Sequence, residues 1–79
     1  MSSYINLSSS GIGDAELVNL EELPDVEVLD LTGTQVTDAG LEHLKGLAQL
    51  RYLLLDRTRV TGAGVSWLQS FLPETAIVW

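Results

Sequence analysis

The chain has no cysteine, two prolines, one histidine and only four basic residues among 79. Without cysteine there is no disulfide framework and no thiolate metal site, so a fold this small rests on packing, and the redox compartment leaves no mark. So few prolines beside 46% hydrophobic residues exclude the polar, proline-rich composition of disorder. Four bases against eleven acids, a net charge of −7, exclude the clustered Lys and Arg that a nucleic-acid backbone or an anionic membrane surface demands. An electrostatic partner is therefore expected to be a basic protein. No apolar run approaches the ~18 residues of a membrane span. The opening Met1-Ser2-Ser3-Tyr4 lacks the basic region and apolar stretch of a secretory leader, which makes the cytoplasm the default expectation. On that footing Asn6-Leu7-Ser8 matches the glycosylation sequon by chance. The length bounds the chain to one small domain.

Catalytic constellations are equally scarce. Gly11-Ile12-Gly13 and Gly62-Ala63-Gly64 begin like phosphate-binding loops, but Glu16 and Trp67 stand where a third glycine belongs, and turn residues at unit boundaries are the better reading. His43 beside Glu42 falls short of a zinc site's three or four ligands and reads as helix surface. Ser8-Ser9-Ser10 has no histidine placed to activate it. The acids Glu21, Glu22, Asp25 and Glu27 read as a solvated face. No catalytic residue, metal ligand or cofactor is expected, and the chain is expected not to be an enzyme.

What is present is a repeat. From Ile5 to Leu29 and from Leu29 to Leu53 the interval is the same 24 residues. The register holds in Leu7, Leu31, Leu55; in Ser10, Thr34, Thr58; in Ile12, Val36, Val60; in Ala15, Ala39, Ala63; in Leu17, Leu41, Val65; in Leu20, Leu44, Leu68; and in Leu23, Leu47, Phe71. Ile77 and Trp79 fall under Leu53 and Leu55, so a fourth strand begins there. The expected organisation is one domain over 1–79, with units of about 2–25, 26–49 and 50–73 and a closing strand at 75–79.

The second unit shows the internal grammar. Val28-Leu29-Asp30-Leu31-Thr32 alternates with period 2, which points Leu29 and Leu31 to one face of a short strand. Leu41, Leu44 and Leu47 then recur at helical spacing, with Thr37 as N-cap and Asp38 in the first turn. One such unit cannot bury its leucines; stacked units join them in a continuous core. The hydroxyls of Ser10, Thr34 and Thr58 are expected to satisfy backbone groups at the turn. The small Ala15, Ala39 and Ala63 are expected to let each helix approach the sheet.

Val26-x-x-Leu29-x-Leu31-x-x-Thr34-x-Val36-Thr37-Asp38-Ala39-Gly40-Leu41-x-x-Leu44-x-x-Leu47 resembles a leucine-rich repeat, of the bacterial ribonuclease-inhibitor-like subtype in which TxVTDAGL recurs. Thr58-Arg59-Val60-Thr61-Gly62-Ala63-Gly64-Val65 keeps the pattern, and Ser10-Gly11-Ile12-Gly13-Asp14-Ala15-Glu16-Leu17 is a more divergent copy. The resemblance covers nearly the whole chain, and Leu72-Pro73-Glu74-Thr75-Ala76-Ile77-Val78-Trp79 is similar to the way such arrays finish. It implies an α/β solenoid with parallel strands on the concave face, short helices on the convex face, protein recognition as the usual role and no enzymatic activity. Three units and a partial fourth are too few for a deep horseshoe.

Alternation places Tyr4, Val28, Tyr52 and Ala76 in one outward row of the sheet and Asn6, Asp30, Leu54 and Val78 in the next. Aromatic and apolar residues are favoured in interface cores, so Tyr4, Asn6, Val28, Asp30, Tyr52, Leu54 and Val78 are the candidate partner-binding residues. β-propensity alone also selects Tyr and Val. Trp67 is expected on the outer helix surface. Neither end carries a clear polar capping unit. Ile5, Leu7, Ile12, Leu17 and Leu20 have only Met1 to Ser3 ahead of them, and Ile77 and Trp79 close the other end. Trp67, Ile77 and Trp79 are thus candidates for self-association into a homo-oligomer. Charge is unevenly spread: residues 1–49 hold nine acids and one base, while Arg51, Arg57 and Arg59 outnumber Asp56 and Glu74 beyond them. The expected function is protein–protein recognition through the concave face; the alternative is a structural building block or a fragment of a longer array.

Overall fold

A computed structural model describes residues 3–23 and 25–79. Among them, β1 (Tyr4–Asn6), β2 (Val28–Asp30), β3 (Tyr52–Leu54) and β4 (Ala76–Val78) form one parallel sheet in the order of the chain. The register follows the repeat columns: Ile5 pairs with Leu29, Leu29 with Leu53 and Leu53 with Ile77. Parallel neighbours cannot be joined by a tight hairpin, and here each crossover is a turn followed by a helical segment on the core side of the sheet. The molecule is thus α/β, with a leucine core between sheet and helices that includes Leu29, Leu41, Leu44, Leu53 and Leu68, all fully buried.

The turn after each strand is built alike. Ser9, Gly33 and Arg57 share a column and a left-handed backbone, with φ of 53°, 73° and 57°. One residue on, the hydroxyls of Ser10, Thr34 and Thr58 donate to the carbonyls of Leu7, Leu31 and Leu55 at 2.6, 2.7 and 2.7 Å. This is the structural role expected of that column, directed chiefly at carbonyls. The backbone between units is tied as well, by Ser9 N–H to Thr32 O and Gly33 N–H to Asp56 O, each 2.8 Å.

The helical segments differ. Asp14–Glu22 and Asp38–Leu44 are 3₁₀ helices, and α1 (Gly62–Phe71) is α-helical. The difference lies in which residues are buried. Leu41, Leu44 and Leu47 repeat every third position, which a 3₁₀ helix of three residues per turn lines up on one side. The third segment buries Val65, Leu68 and Leu72, and the step of four from Leu68 to Leu72 fits an α-helix. Phe71, which shares the Leu47 column, is correspondingly turned out and 48% exposed.

Two expectations need correction. Ala15, Ala39 and Ala63 are exposed and mediate no close approach. The close packing belongs to the next column, where Gly40 and Gly64 are buried. At the N-terminal end Leu17 and Leu20 are buried against the second helical segment, leaving Ile5, Leu7 and Ile12 half-buried. The covering role assigned to Met1 and Ser2 lies outside the described residues.

Candidate functional site

The face of the sheet opposite the leucines carries both expected rows. Tyr4 is paired with Val28, Val28 with Tyr52 and Tyr52 with Ala76; Asn6 is paired with Asp30, Asp30 with Leu54 and Leu54 with Val78. Tyr4 is 58% exposed and Tyr52 49%, while Val28, Asp30 and Leu54 are half-buried by their neighbours in the rows. Val78 and Asn6, on the two edge strands, are exposed. The seven candidates therefore share one surface.

They are not equally free. Asn6 Oδ1 accepts from the Ser8 backbone N–H at 3.0 Å and its hydroxyl at 2.6 Å, and Asp30 Oδ1 accepts from Thr32 N–H at 3.0 Å. Both side chains close their own turns, as Asx residues do where a strand ends. The apolar members, Tyr4, Val28, Tyr52, Leu54 and Val78, are left to make contacts.

On the helical side, Trp67 is partly exposed as expected. Its ring meets Phe71 edge to face, with centroids 4.9 Å apart, and Lys45 Nζ stands 5.9 Å from the Trp67 ring and 5.6 Å from Phe71. Beside it lies an open groove of about 420 Å³ lined by Asp38, Ala39, Glu42, Ala63, Gly64 and Trp67. The remaining two end residues are separated by the fold. Ile77 packs half-buried on the core, while Trp79 is 58% exposed and lays its indole over Gly62 at the start of α1.

His43, expected as helix surface beside Glu42, lies partly exposed on the second helical segment and pairs through Nδ1 with Glu21 Oε2 of the preceding unit at 2.5 Å. Glu21 is one member of the acidic run. Among the described residues, no three of His, Asp and Glu converge at metal-binding spacing.

A feature not foreseen links the units. Asp14 Oδ1 accepts from the backbone N–H of Thr37 at 2.8 Å, and its Oδ2 accepts from the Thr37 hydroxyl at 2.5 Å. One unit on, Asp38 does the same to Thr61, at 2.7 and 2.6 Å. Each threonine is also the N-cap of its helix, accepting from Ala39 N–H at 3.3 Å and from Gly64 N–H at 3.4 Å. The carboxylate fits only because the helix it faces has a glycine in its first turn: a Cβ on Gly40 would collide with the Asp14 carboxylate, and one on Gly64 with that of Asp38. Asp, the next unit's Thr and the next unit's Gly thus form a clamp. Its signal lay in three columns that vary together: Gly13, Thr37, Thr61; Asp14, Asp38, Gly62; and Glu16, Gly40, Gly64.

Neither models of known protein families nor curated proteins give a match to this chain. Among the described residues no helix is long and apolar enough to cross a membrane.

Proposed function

We propose that the chain is a short leucine-rich-repeat solenoid of the ribonuclease-inhibitor-like kind, and that it works as a non-enzymatic protein-recognition module through the open face of its sheet. The observation that carries this reading is the pair of in-register rows on that face, in which Tyr4 and Tyr52 hold about half their surface in solvent beside Val28, Leu54 and Val78. Aromatic side chains give large contact areas at low conformational cost, and a rigid parallel sheet holds them ready. The acidic first half of the chain favours a partner with basic character and steers its approach. The test replaces Tyr52 with Ser and Leu54 with Glu together. Proteins captured by the native chain are expected to be lost from the double variant, with the circular dichroism spectrum unchanged. A variant that still captures them moves the site off this face; one that unfolds assigns Tyr52 and Leu54 to the core.

A second reading is self-assembly through the C-terminal end, favoured by the exposure of Phe71 and Trp79 there. Covering ~300 Å² of apolar surface returns about 7 kcal/mol at ~25 cal/mol per Å², close to the cost of association. Light scattering coupled to size exclusion decides it: a dimer that Trp79→Asp dissociates supports the reading, and a strictly monomeric native chain at high micromolar concentration removes it.

A further inference from the structure

We infer that clamp-mediated stacking of a further unit is blocked on both sides of the three described units, by Glu16 at the first helix and by Gly62 with Trp79 at the last, and that head-to-tail stacking of a second copy through the clamp is blocked by the same residues. The inner junctions define what stacking requires. A unit must offer an Asp carboxylate forward, and the unit receiving it must present a Thr with free N–H and hydroxyl and, three residues on, a Gly that leaves room.

The first unit cannot receive. Gly13 stands in the Thr column and offers no hydroxyl. Its backbone N–H, the group that Thr37 and Thr61 give to the preceding Asp, is already taken by Glu16 Oε1 at 2.6 Å. Glu16 itself occupies the column of Gly40 and Gly64, where a Cβ already excludes the incoming carboxylate. One side chain therefore supplies the missing carboxylate from within its own unit and fills the space a foreign one would need.

The third unit cannot give. Gly62 replaces the Asp, and the Trp79 indole lies 3.0 Å from where its Cβ would be, so that an Asp there would meet the ring. Ahead of that position β4 is already paired to β3, in the place that the first strand of a second copy would need. The stops concern stacking through the clamp, not attachment of other segments.

Variants of the 79-residue chain carrying one extra unit test this. A copy of Val26–Gln49 inserted between Gln49 and Leu50 is expected to dock, raising the melting temperature by about 5 °C or more and the denaturant m-value with it. The same segment joined directly ahead of Ser2 is expected to stay protease-sensitive, with the melting temperature of the native chain, until Gly13→Thr and Glu16→Gly are added. At the other end, a copy of Thr32–Leu55 appended after Trp79 is expected to remain digestible until Gly62→Asp and Trp79→Leu are added. An appended unit that is protected without those changes overturns the inference. So does one that stays digestible with them, or an internal copy that fails to dock.

Discussion

The first unit gives a carboxylate forward and receives none; the third receives one and gives none. Their helices differ in the same sense. The first is a 3₁₀ segment with Asp14 and Glu16 in its opening turn, and the third is an α-helix that begins Gly-Ala-Gly and carries Trp67 and Phe71. The middle unit does both jobs, and it is the one whose core columns, Leu29, Leu31, Val36, Leu41 and Leu44, are all fully buried. Departures from the repeat at the outer units are therefore ordered. Each changes a column whose partner position would fall outside the described residues, and each supplies a local substitute, a carboxylate at one end and an indole at the other.

The largest effect that separates the two outer units is expected at the glycine column. Gly64→Ala puts a methyl group onto the Asp38 carboxylate, breaking the clamp while crowding a buried site, and is expected to cost about 3 kcal/mol in chemical denaturation. Gly46→Ala is the control: nothing lies within 4 Å of its Cβ position, and the change is expected to be neutral or slightly stabilising. Equal losses from the two would mean that glycine flexibility, not space for the carboxylate, decides the column. Next in size is Asp38→Ala, which leaves Thr61 N–H and hydroxyl without the charged acceptor and is expected to cost about 2 kcal/mol, with Asp14→Ala close to it. Smaller again is Glu16→Ala. Its carboxylate holds a single backbone N–H at an exposed helix start, so a loss of about 1 kcal/mol is expected, and a loss as large as that of Asp38→Ala would show that the first unit depends on its substitute as heavily as the third depends on its clamp.

The sheet was legible in the sequence because its determinants are local and periodic. Columns defined by a fixed interval became the paired rows themselves, from Ile5–Leu29–Leu53–Ile77 to Tyr4–Val28–Tyr52–Ala76. The outward rows followed from alternation alone. The clamp was not legible in the same way, since Thr37 and Asp38 each have a sufficient reading inside their own unit, as N-cap and as first-turn acid, whereas their partners Asp14 and Thr61 lie 23 residues away. The column Ala15, Ala39 and Ala63, rather than the neighbouring Gly40 and Gly64, reads as the close-packing one for a related reason. Small size is visible in a sequence, but which small residue faces the neighbouring unit depends on a helical phase, and that phase is 3₁₀ in two segments and α in the third. The pairing of His43 with Glu21 escaped because Glu42 is the nearer carboxylate in sequence and Glu21 the nearer one across the junction.

The smallest expected effect sharpens the comparison at the turns. Ser9, Gly33 and Arg57 all hold the left-handed conformation, yet only the middle unit uses the residue for which it carries no steric penalty. An L side chain in that region costs on the order of 1 kcal/mol, and replacing it with glycine returns part of this while adding about 0.5 kcal/mol of backbone entropy to the unfolded chain. Arg57→Gly is therefore expected to stabilise by about 0.5 kcal/mol, a rise of ~2–4 °C in melting temperature for a domain of this size. Gly33→Ser is expected to do the opposite and by more, since its Cβ would stand 3.1 Å from the Ser9 hydroxyl in addition to the unfavourable φ. Arg57 is exposed and is one of three bases in the otherwise acid-poor end of the chain. If Arg57→Gly raises the melting temperature and also weakens capture of the partner, the arginine is kept at a strained position for contact. A fall in melting temperature would instead place the side chain in the fold, and the strain in the turn would cease to distinguish the outer units from the middle one.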